Sequence, residues 1–275
     1  MSKDQFIRLP LSFHDTFAPE SSYLAKLMQF AESQKQGTID KISSVTGIPT
    51  GKSTGKVEPT IKYAQGMGLL NVERIGGACF RLSLTSFGEE IFEQDIYLKE
   101  NLTQWLLHLM FCRRQGGAEA WYRVFGEGQL PLGRTFFRDD LTTYLKTPFK
   151  NISPLLRMYS NDSSFDLCRA LVEENGTIVR SIAPMTQEFY YGYAFLLLSA
   201  WEEYFPNDQQ ISIANIEGTS NFLATLGCKE VEVNIFLDWM ADNGLLKIDR
   251  QTGEALLLRT AAAETVINCL YDNLV

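Results

Sequence analysis

Few side chains in this 275-residue chain can do proton-transfer or metal chemistry. There are only two histidines, His14 and His108, and His14 is followed at once by Asp15. Histidine is the side chain best suited to proton transfer near neutral pH, so His14 and Asp15 form the weak catalytic candidate that the composition offers. The alternative is a structural His14 that caps a turn. Nucleases that use a metal need closely set carboxylates, often with a lysine two residues after an acid, to bind Mg²⁺ and activate water. No acidic-x-Lys triplet occurs in the chain. The acid pairs Glu89-Glu90, Asp139-Asp140, Glu173-Glu174 and Glu202-Glu203 read as surface solvation, because adjacent residues point apart on a helix. Cys79, Cys112, Cys168, Cys228 and Cys269 include no CxxC pair and read as reduced, mostly buried thiols, so no metal site is assigned.

A second motif suggests phosphate. Gly47 to Thr54, Gly-Ile-Pro-Thr-Gly-Lys-Ser-Thr, resembles a loop that cradles nucleotide phosphates. It is one residue short between its glycines, and an amphipathic helix precedes it where that motif needs a buried strand. Nucleotide binding is therefore not expected. Small hydroxyls and backbone amides just ahead of a helix suit a DNA phosphate instead, which makes Lys52, Ser53 and Thr54 candidate contacts.

Charge distribution points the same way. The formal net charge is -8, yet residues 1–98 hold ten basic and eleven acidic side chains, 99–185 hold eleven and nine, and 186–275 hold four and thirteen. The acidity belongs to the last third. Between positions 50 and 84, Lys52, Lys56, Lys62, Arg74 and Arg81 face only Glu58 and Glu73, a local basic patch of the kind that meets DNA.

The elements that must position these residues are legible as periodicities. Tyr23, Leu24, Leu27, Met28 and Ala31 give a helix over Ser21 to Ser33, and Thr38 to Val45 gives a second with Ile39, Ile42 and Val45 inward. A third runs from about Lys56 to Met67, with Val57, Ile61 and Ala64 on its buried stripe and Thr60, Lys62 and Tyr63 facing away from it. Leu70 to Arg74 and Phe80 to Leu84, joined through Gly76-Gly77, alternate as a hairpin. This order predicts a winged helix-turn-helix over residues 1–98. Its last helix would enter the major groove of double-stranded DNA, while Arg74 and Arg81 reach the backbone or minor groove. A protein-binding winged helix is the alternative.

The remainder reads as a helical middle domain, 99–185, and an acidic winged-helix-like domain, 186–275, giving a mainly α (α+β) chain. In the middle, Leu102 to Met110 and Ala118 to Phe125 are helical, Trp105, Trp121, Tyr122 and Phe125 are core, and Arg134, Arg138, Lys146, Lys150 and Arg157 form a second basic stretch. Gly244-Leu245-Leu246-Lys247-Ile248-Asp249-Arg250 matches Gly68 to Arg74 in type. The helix before it, Lys229 to Asn243, is expected to bury Val231, Val233, Ile235 and Trp239. It presents Glu230, Glu232, Asp238 and Asp242 where the first unit presents lysines, so it should bind a protein partner or pack internally. The most apolar run, Tyr193 to Ala200, is far short of the roughly 20 residues a membrane span needs. With no signal-peptide pattern near Met1, a cytoplasmic protein with no membrane contact is expected.

Five segments carry a family resemblance: Ser12 to Phe17, Gly51 to Lys56, Ile61 to Ala64, Leu102 to Leu109 and Gly117 to Trp121. They resemble a bacterial domain-of-unknown-function family encoded beside cysteine desulfurase and PAPS-reductase-like genes. The resemblance covers nearly the whole chain and implies the DNA-nicking subunit of a single-stranded DNA phosphorothioation (Ssp-type) system for defence against phage. It implies sulfur-transfer and ATPase subunits as partners, and nicking would call for a divalent metal such as Mg²⁺. It transfers no catalytic residues. Two other readings stand beside it: a winged-helix transcription regulator without enzymatic activity, working as a homodimer on symmetric half-sites, and a non-catalytic adaptor for the sulfur-transfer subunits.

Overall fold

A computed structural model of the chain describes residues 7–33, 36–51, 55–77, 79–250 and 255–274. The first element, α1 (Ser21–Ser33), buries Leu24, Leu27, Met28 and Ala31 at i, i+3, i+4 and i+7. A short strand β1 (Gln36–Thr38) leads into α2 (Ile39–Thr46), which starts where the Thr38 side chain accepts the Lys41 amide. It ends at Gly47, whose φ of 69° lets its amide turn back to the Ser43 carbonyl. Helix α3 (Val57–Gly66) and the hairpin β2 (Leu70–Gly76) and β3 (Cys79–Leu84) complete the unit, with antiparallel sheet order β1-β3-β2.

Helices α4 (Ser86–Gln94) and α5 (Asn101–Phe111) follow. Apart from Asn101 every residue of α5 is buried, so this helix runs through the protein interior. A short α6 (Glu119–Trp121) continues as a π-helical turn, Tyr122–Gly126, and a 3-10 turn, Glu127–Gln129.

The middle of the chain then departs from the helical expectation. Strand β4 (Thr135–Phe137), helices α7 (Arg138–Leu145) and α8 (Ser153–Ser160), and the hairpin β5 (Leu171–Glu174) and β6 (Thr177–Arg180) form a second three-stranded antiparallel sheet, ordered β4-β6-β5. A third follows the long α9 (Gln187–Tyr204): β7 (Gln210–Ser212), α10 (Ile213–Ser220), α11 (Phe222–Leu226), α12 (Glu230–Asp242), β8 (Leu246–Asp249) and β9 (Leu256–Arg259), ordered β7-β9-β8. A last turn, α13 (Glu264–Ile267), packs against α9 and α4.

The three sheets are one plan repeated. In each, the last residue of the leading strand pairs with the first residue of the third strand: Thr38 with Cys79, Phe137 with Thr177, Ser212 with Leu256. The next helix is eight residues long in every case and ends in a left-handed residue, Gly47, Lys146 or Asn221. Ile42, Leu141 and Ile216 fill the equivalent core position and are fully buried. In the first and third copies even the closing hydrogen bonds agree. Thr46 donates to the Ile42 carbonyl and accepts the Ile48 amide, as Ser220 does with Ile216 and Phe222.

The apolar side chains of all three units join one core, in which Trp105, Trp121, Tyr122 and Phe125 are buried as expected. Three predicted inward positions lie outside it: Val45, Val231 and Ile235 are exposed. Both helices bury a neighbouring stripe, carried in α12 by Val233, Phe236, Leu237 and Met240. No helix among the described residues is long and apolar enough to cross a membrane.

A candidate nucleic-acid interface

The turn that carries the weak catalytic candidate is bent by two non-glycine residues with positive φ, Asp15 at 45° and Thr16 at 71°. This geometry sends neighbouring side chains opposite ways. Phe13 is buried edge-on against Tyr63 and Phe111, with centroids 4.9 and 5.8 Å away, while Asp15 is exposed. His14 is buried. Its Nδ1 accepts the Thr16 amide at 3.2 Å, so the proton of the neutral ring sits on Nε2, which donates to the Asn151 carbonyl at 3.1 Å. Burial pushes the His14 pKa down to about 4, against the raising effects of the Asn151 hydrogen bond and of Asp15. A neutral imidazole with both nitrogens engaged ties the N-terminal turn to the middle unit.

The proposed groove-reading helix is correspondingly packed. Val57, Pro59, Thr60, Ile61, Tyr63, Ala64 and Gly66 of α3 are buried. Thr60 donates to the Lys56 carbonyl and Tyr63 to the Phe17 carbonyl. Thr60 and Tyr63 are thus buried, contrary to the sequence expectation, and residues 13 and 17 of the N-terminal turn close over Tyr63. Only Glu58, Lys62 and Gln65 of this helix keep substantial exposure, a stripe too narrow to fill a major groove.

The cations of this unit are held by local partners. Lys56 Nζ is 2.6 Å from Glu20 and lies over the rings of Phe17 and Tyr23, 5.5 and 5.4 Å from their centroids. Lys62 pairs with Glu58 at 3.1 Å and Arg81 with Glu73 at 2.5 Å. Arg74 is exposed, bonds the Gly77 carbonyl and lies over Phe80. Lys52, Ser53 and Thr54 lie outside the described residues.

What the fold does assemble is a stripe of cations across the first two units. Lys26 reaches over Tyr23 toward the end of α2, where its Nζ is 3.9 Å from the position a Cβ on Gly47 would take. Lys56 shares the Tyr23 ring, its Nζ 5.4 Å from the centroid. Beyond Phe17, Arg157 donates to the Thr16 carbonyl, and exposed Lys150 adjoins Asn151, the partner of His14. Sequence reasoning found Lys56, Lys150 and Arg157 in two separate patches and missed Lys26. Their junction runs through contacts 137 and 141 residues apart, which no local pattern encodes.

Beside the stripe a polar cleft of about 480 Å³ opens at the start of α3, lined by Asp15, Phe17, Gly51, Gly55 and Glu58 among others. No group of three or more His, Cys, Asp or Glu side chains capable of holding a metal gathers among the described residues. Mg²⁺ keeps several waters and is commonly held by one or two carboxylates. Asp15 and Glu58, the latter paired with Lys62, are the carboxylates that line this cleft. The five cysteines are free thiols, with Cys112 and Cys168 buried and the others half-buried.

At the far end of the molecule α12 turns outward a different surface. Val231 and Ile235, 60% and 55% exposed, sit one helical turn apart among Glu230, Asn234 and Asp238, with Asp238 paired to Arg250 at 2.6 Å.

Fold and surface together define a mixed α/β protein of three repeated helix–strand units, with a cation stripe bridging the first two. The chain belongs to the family DUF4007, described as a protein of unknown function, whose pattern matches residues 11–165. Its fold is also that of SspB. A magnesium ion-bound SspB crystal structure superposes with a TM-score of 0.76 at 17% identity, over 95% of this chain and 88% of that one. A second SspB crystal structure gives 0.74 at 18% identity with the same coverage. No curated protein matches the chain in sequence.

Proposed function

We propose that this protein is the DNA-binding, DNA-nicking component of a phosphorothioation-based anti-phage defence system. We read its three repeats as winged helices, since each has the order helix, strand, helix, helix, hairpin, the third with the short α11 inserted before α12. The observation that carries the proposal is the SspB-like fold over 95% of the chain, joined to a cation stripe across its first two units. With Thr60 and Tyr63 inside the core, duplex contact in this reading goes to the phosphate backbone through Lys26, Lys56, Lys150 and Arg157. Backbone contacts position a protein and carry little sequence information, which suits a factor that must act at many sites. The comparison protein binds magnesium, and Asp15 with Glu58 beside the stripe would be where this chain meets that ion.

The test is a supercoiled-plasmid nicking assay with Mg²⁺ or EDTA, beside gel shifts at several salt concentrations. Exposed Lys150 and Arg157, changed together to Ala, should weaken duplex binding and lower the slope of log affinity against log salt by about two. An unchanged slope in the folded variant would place the DNA elsewhere.

The acidic third has a role of its own in this reading. The exposed Val231–Ile235 pair within an acidic rim favours docking of the sulfur-transfer or ATPase subunits there, because anionic side chains repel phosphate while two aliphatic side chains offer an anchor.

A further inference from the structure

The second unit breaks the repeat at two surface positions. In the first and third units the leading strand ends in Thr38 and Ser212. Their side chains accept the Lys41 and Asn215 amides, each at 3.2 Å, and so start the next helix. The matching residue of the second unit is Phe137, which is 60% exposed and has no oxygen to offer. Asp140 recovers one hydrogen bond by accepting the Phe137 amide at 2.8 Å, but its own amide lacks the side-chain acceptor that its counterparts have. The other end of the same helix shows the second departure. Where Gly47 and Asn221 take the left-handed turn, the second unit has an exposed Lys146 at a φ of 53°. Glycine and asparagine adopt that conformation more readily than lysine. At both positions the chain's own repeats hold a residue better suited to folding, and the second unit carries an aromatic ring and a cation instead.

The departures fall on one corner of the molecule. Arg138, next to Phe137, reaches the turn Phe149–Asn151 and lays its guanidinium over the Phe149 ring, 4.9 Å from the centroid. The Glu173 carboxylate holds that guanidinium at two points, 2.5 and 2.7 Å away. Phe149 is itself 37% exposed, and exposed Lys150 follows it. Arg134, Lys146 and Lys150 make no ion pair among the described residues, unlike Lys56, Lys62 and Arg81 of the first unit. Of the nearby carboxylates, Asp140 is engaged by the Phe137 amide and Glu173 by Arg138, which leaves Asp139. The corner therefore sets solvent-facing aromatic rings among cations that outnumber the opposing charge.

We propose that this corner holds an unpaired stretch of DNA strand. Phe137 stacks on a base, Arg138 lies beside it, braced by Phe149 and Glu173, and Arg134, Lys146 and Lys150 meet the flanking phosphates. Bases within a duplex have their faces against their neighbours, so an exposed phenyl ring finds a base to stack on only where the strand is open. The ring makes no hydrogen bonds, so the platform accepts any base. Lys150 belongs both to this corner and to the cation stripe, so a strand leaving one enters the other. The inference rests on the DNA reading for its ligand and extends it from a paired backbone to an opened strand.

Fluorescence anisotropy on the full-length protein tests it with three probes: an oligothymidylate of about twelve nucleotides, an abasic deoxyribose-phosphate strand of the same length, and a duplex. The oligothymidylate should bind at least about fivefold more tightly than the abasic strand. Phe137→Thr should bring it to the abasic level and leave duplex affinity unchanged. Since threonine restores the cap of the first unit, the Tm of that variant should hold or rise. Equal affinity of the wild-type protein for the two single strands refutes the platform, and so does a Phe137→Thr variant that keeps the preference or loses it only with a fall in Tm. The first comparison uses wild-type protein alone, so the result does not hinge on a variant's folding. Duplex binding without a preference for bases ends the platform and spares the stripe. A preference for bases, with a duplex salt slope that Lys150→Ala and Arg157→Ala leave unchanged, ends the stripe and spares the platform.

Discussion

The two histidines predict how the fold responds to acid. Both are buried in the neutral state: His14 has its pKa pushed down to about 4 by desolvation, and His108, within hydrogen-bonding distance of Tyr159 at 2.7 Å, has its own pushed down to about 3. In the unfolded chain both return to about 6.5. Above that value neither state binds the proton and the stability is fully present. As pH falls below it, the unfolded chain takes up protons that the fold refuses, so stability drops by about 1.4 kcal/mol per pH unit per histidine. From pH 6.5, where the unfolded histidines are already half-protonated, to 5.5 the pair should cost about 2 kcal/mol, a shift of the urea midpoint of roughly 1 M. Glu90 and Glu217 have raised values in the fold, chiefly by desolvation, and take up protons there before the unfolded chain does. That uptake offsets the loss near and below about pH 5, so the window to read is above it. Urea titrations at half-unit steps from pH 7.5 to 5.5 measure the slope, and His14→Gln should halve it. A midpoint constant over that range, or a His14→Gln variant that keeps the wild-type slope, would show that the imidazole charges freely within the fold. The same reasoning predicts that the pH profile of nicking lacks a limb belonging to His14, since a ring that stays neutral to about pH 4 with both nitrogens bonded cannot act as a base at neutrality.

Tyr63→Phe removes one buried hydroxyl bonded to the Phe17 carbonyl, and should lower stability by about 1 kcal/mol while leaving duplex affinity unchanged; a loss of affinity at unchanged Tm would restore α3 as the groove reader. Val231→Ser with Ile235→Ser changes two exposed side chains, so thermal stability should move by no more than about 0.5 kcal/mol. Pull-down of purified sulfur-transfer and ATPase subunits should fail with this variant, and retention of both partners would move the docking face off α12.

Much of the fold could be read from local pattern, and the failures share a cause. Helix α1 has the bounds its apolar spacing predicts, and α3, α5 and α12 differ from their expected ends by a residue or so. The middle sheet escaped because its leading strand is three residues long and its hairpin strands four each, too short for alternation to register. The signal was nonetheless present. Asn175-Gly176, with φ of 51° and 79°, separates Leu171–Glu174 from Thr177–Arg180 and is the two-residue turn that joins twisted strands. The faces of α3 and α12 were misjudged for another reason. A helix with apolar residues on more than one side has no unique inward stripe, and which side is covered depends on a distant segment. Residues 12–17 cover Tyr63, and nothing among the described residues covers Val231 and Ile235.

The repeat makes that last contrast functional. In each unit the last helix before the hairpin is the one a winged helix would offer to DNA: α3, α8 and α12. Pro154, Leu155, Leu156, Met158 and Tyr159 bury α8, as the N-terminal turn and the core bury α3. Only α12 keeps a broad outer face, and that face carries Glu230 and Asp238 beside two aliphatic side chains. The one unit whose helix is free is therefore the unit whose charge repels phosphate. The units whose charge attracts phosphate have committed their helices to the core, which leaves them the edges: Lys26, Lys56, Lys150 and Arg157 along the seam that His14 and Thr16 hold closed. In the proposed reading the first two units hold a DNA backbone and the third holds a protein partner. His14→Ala, which loosens the seam without removing a cation, should weaken DNA contact while leaving the α12 face and its partner in place.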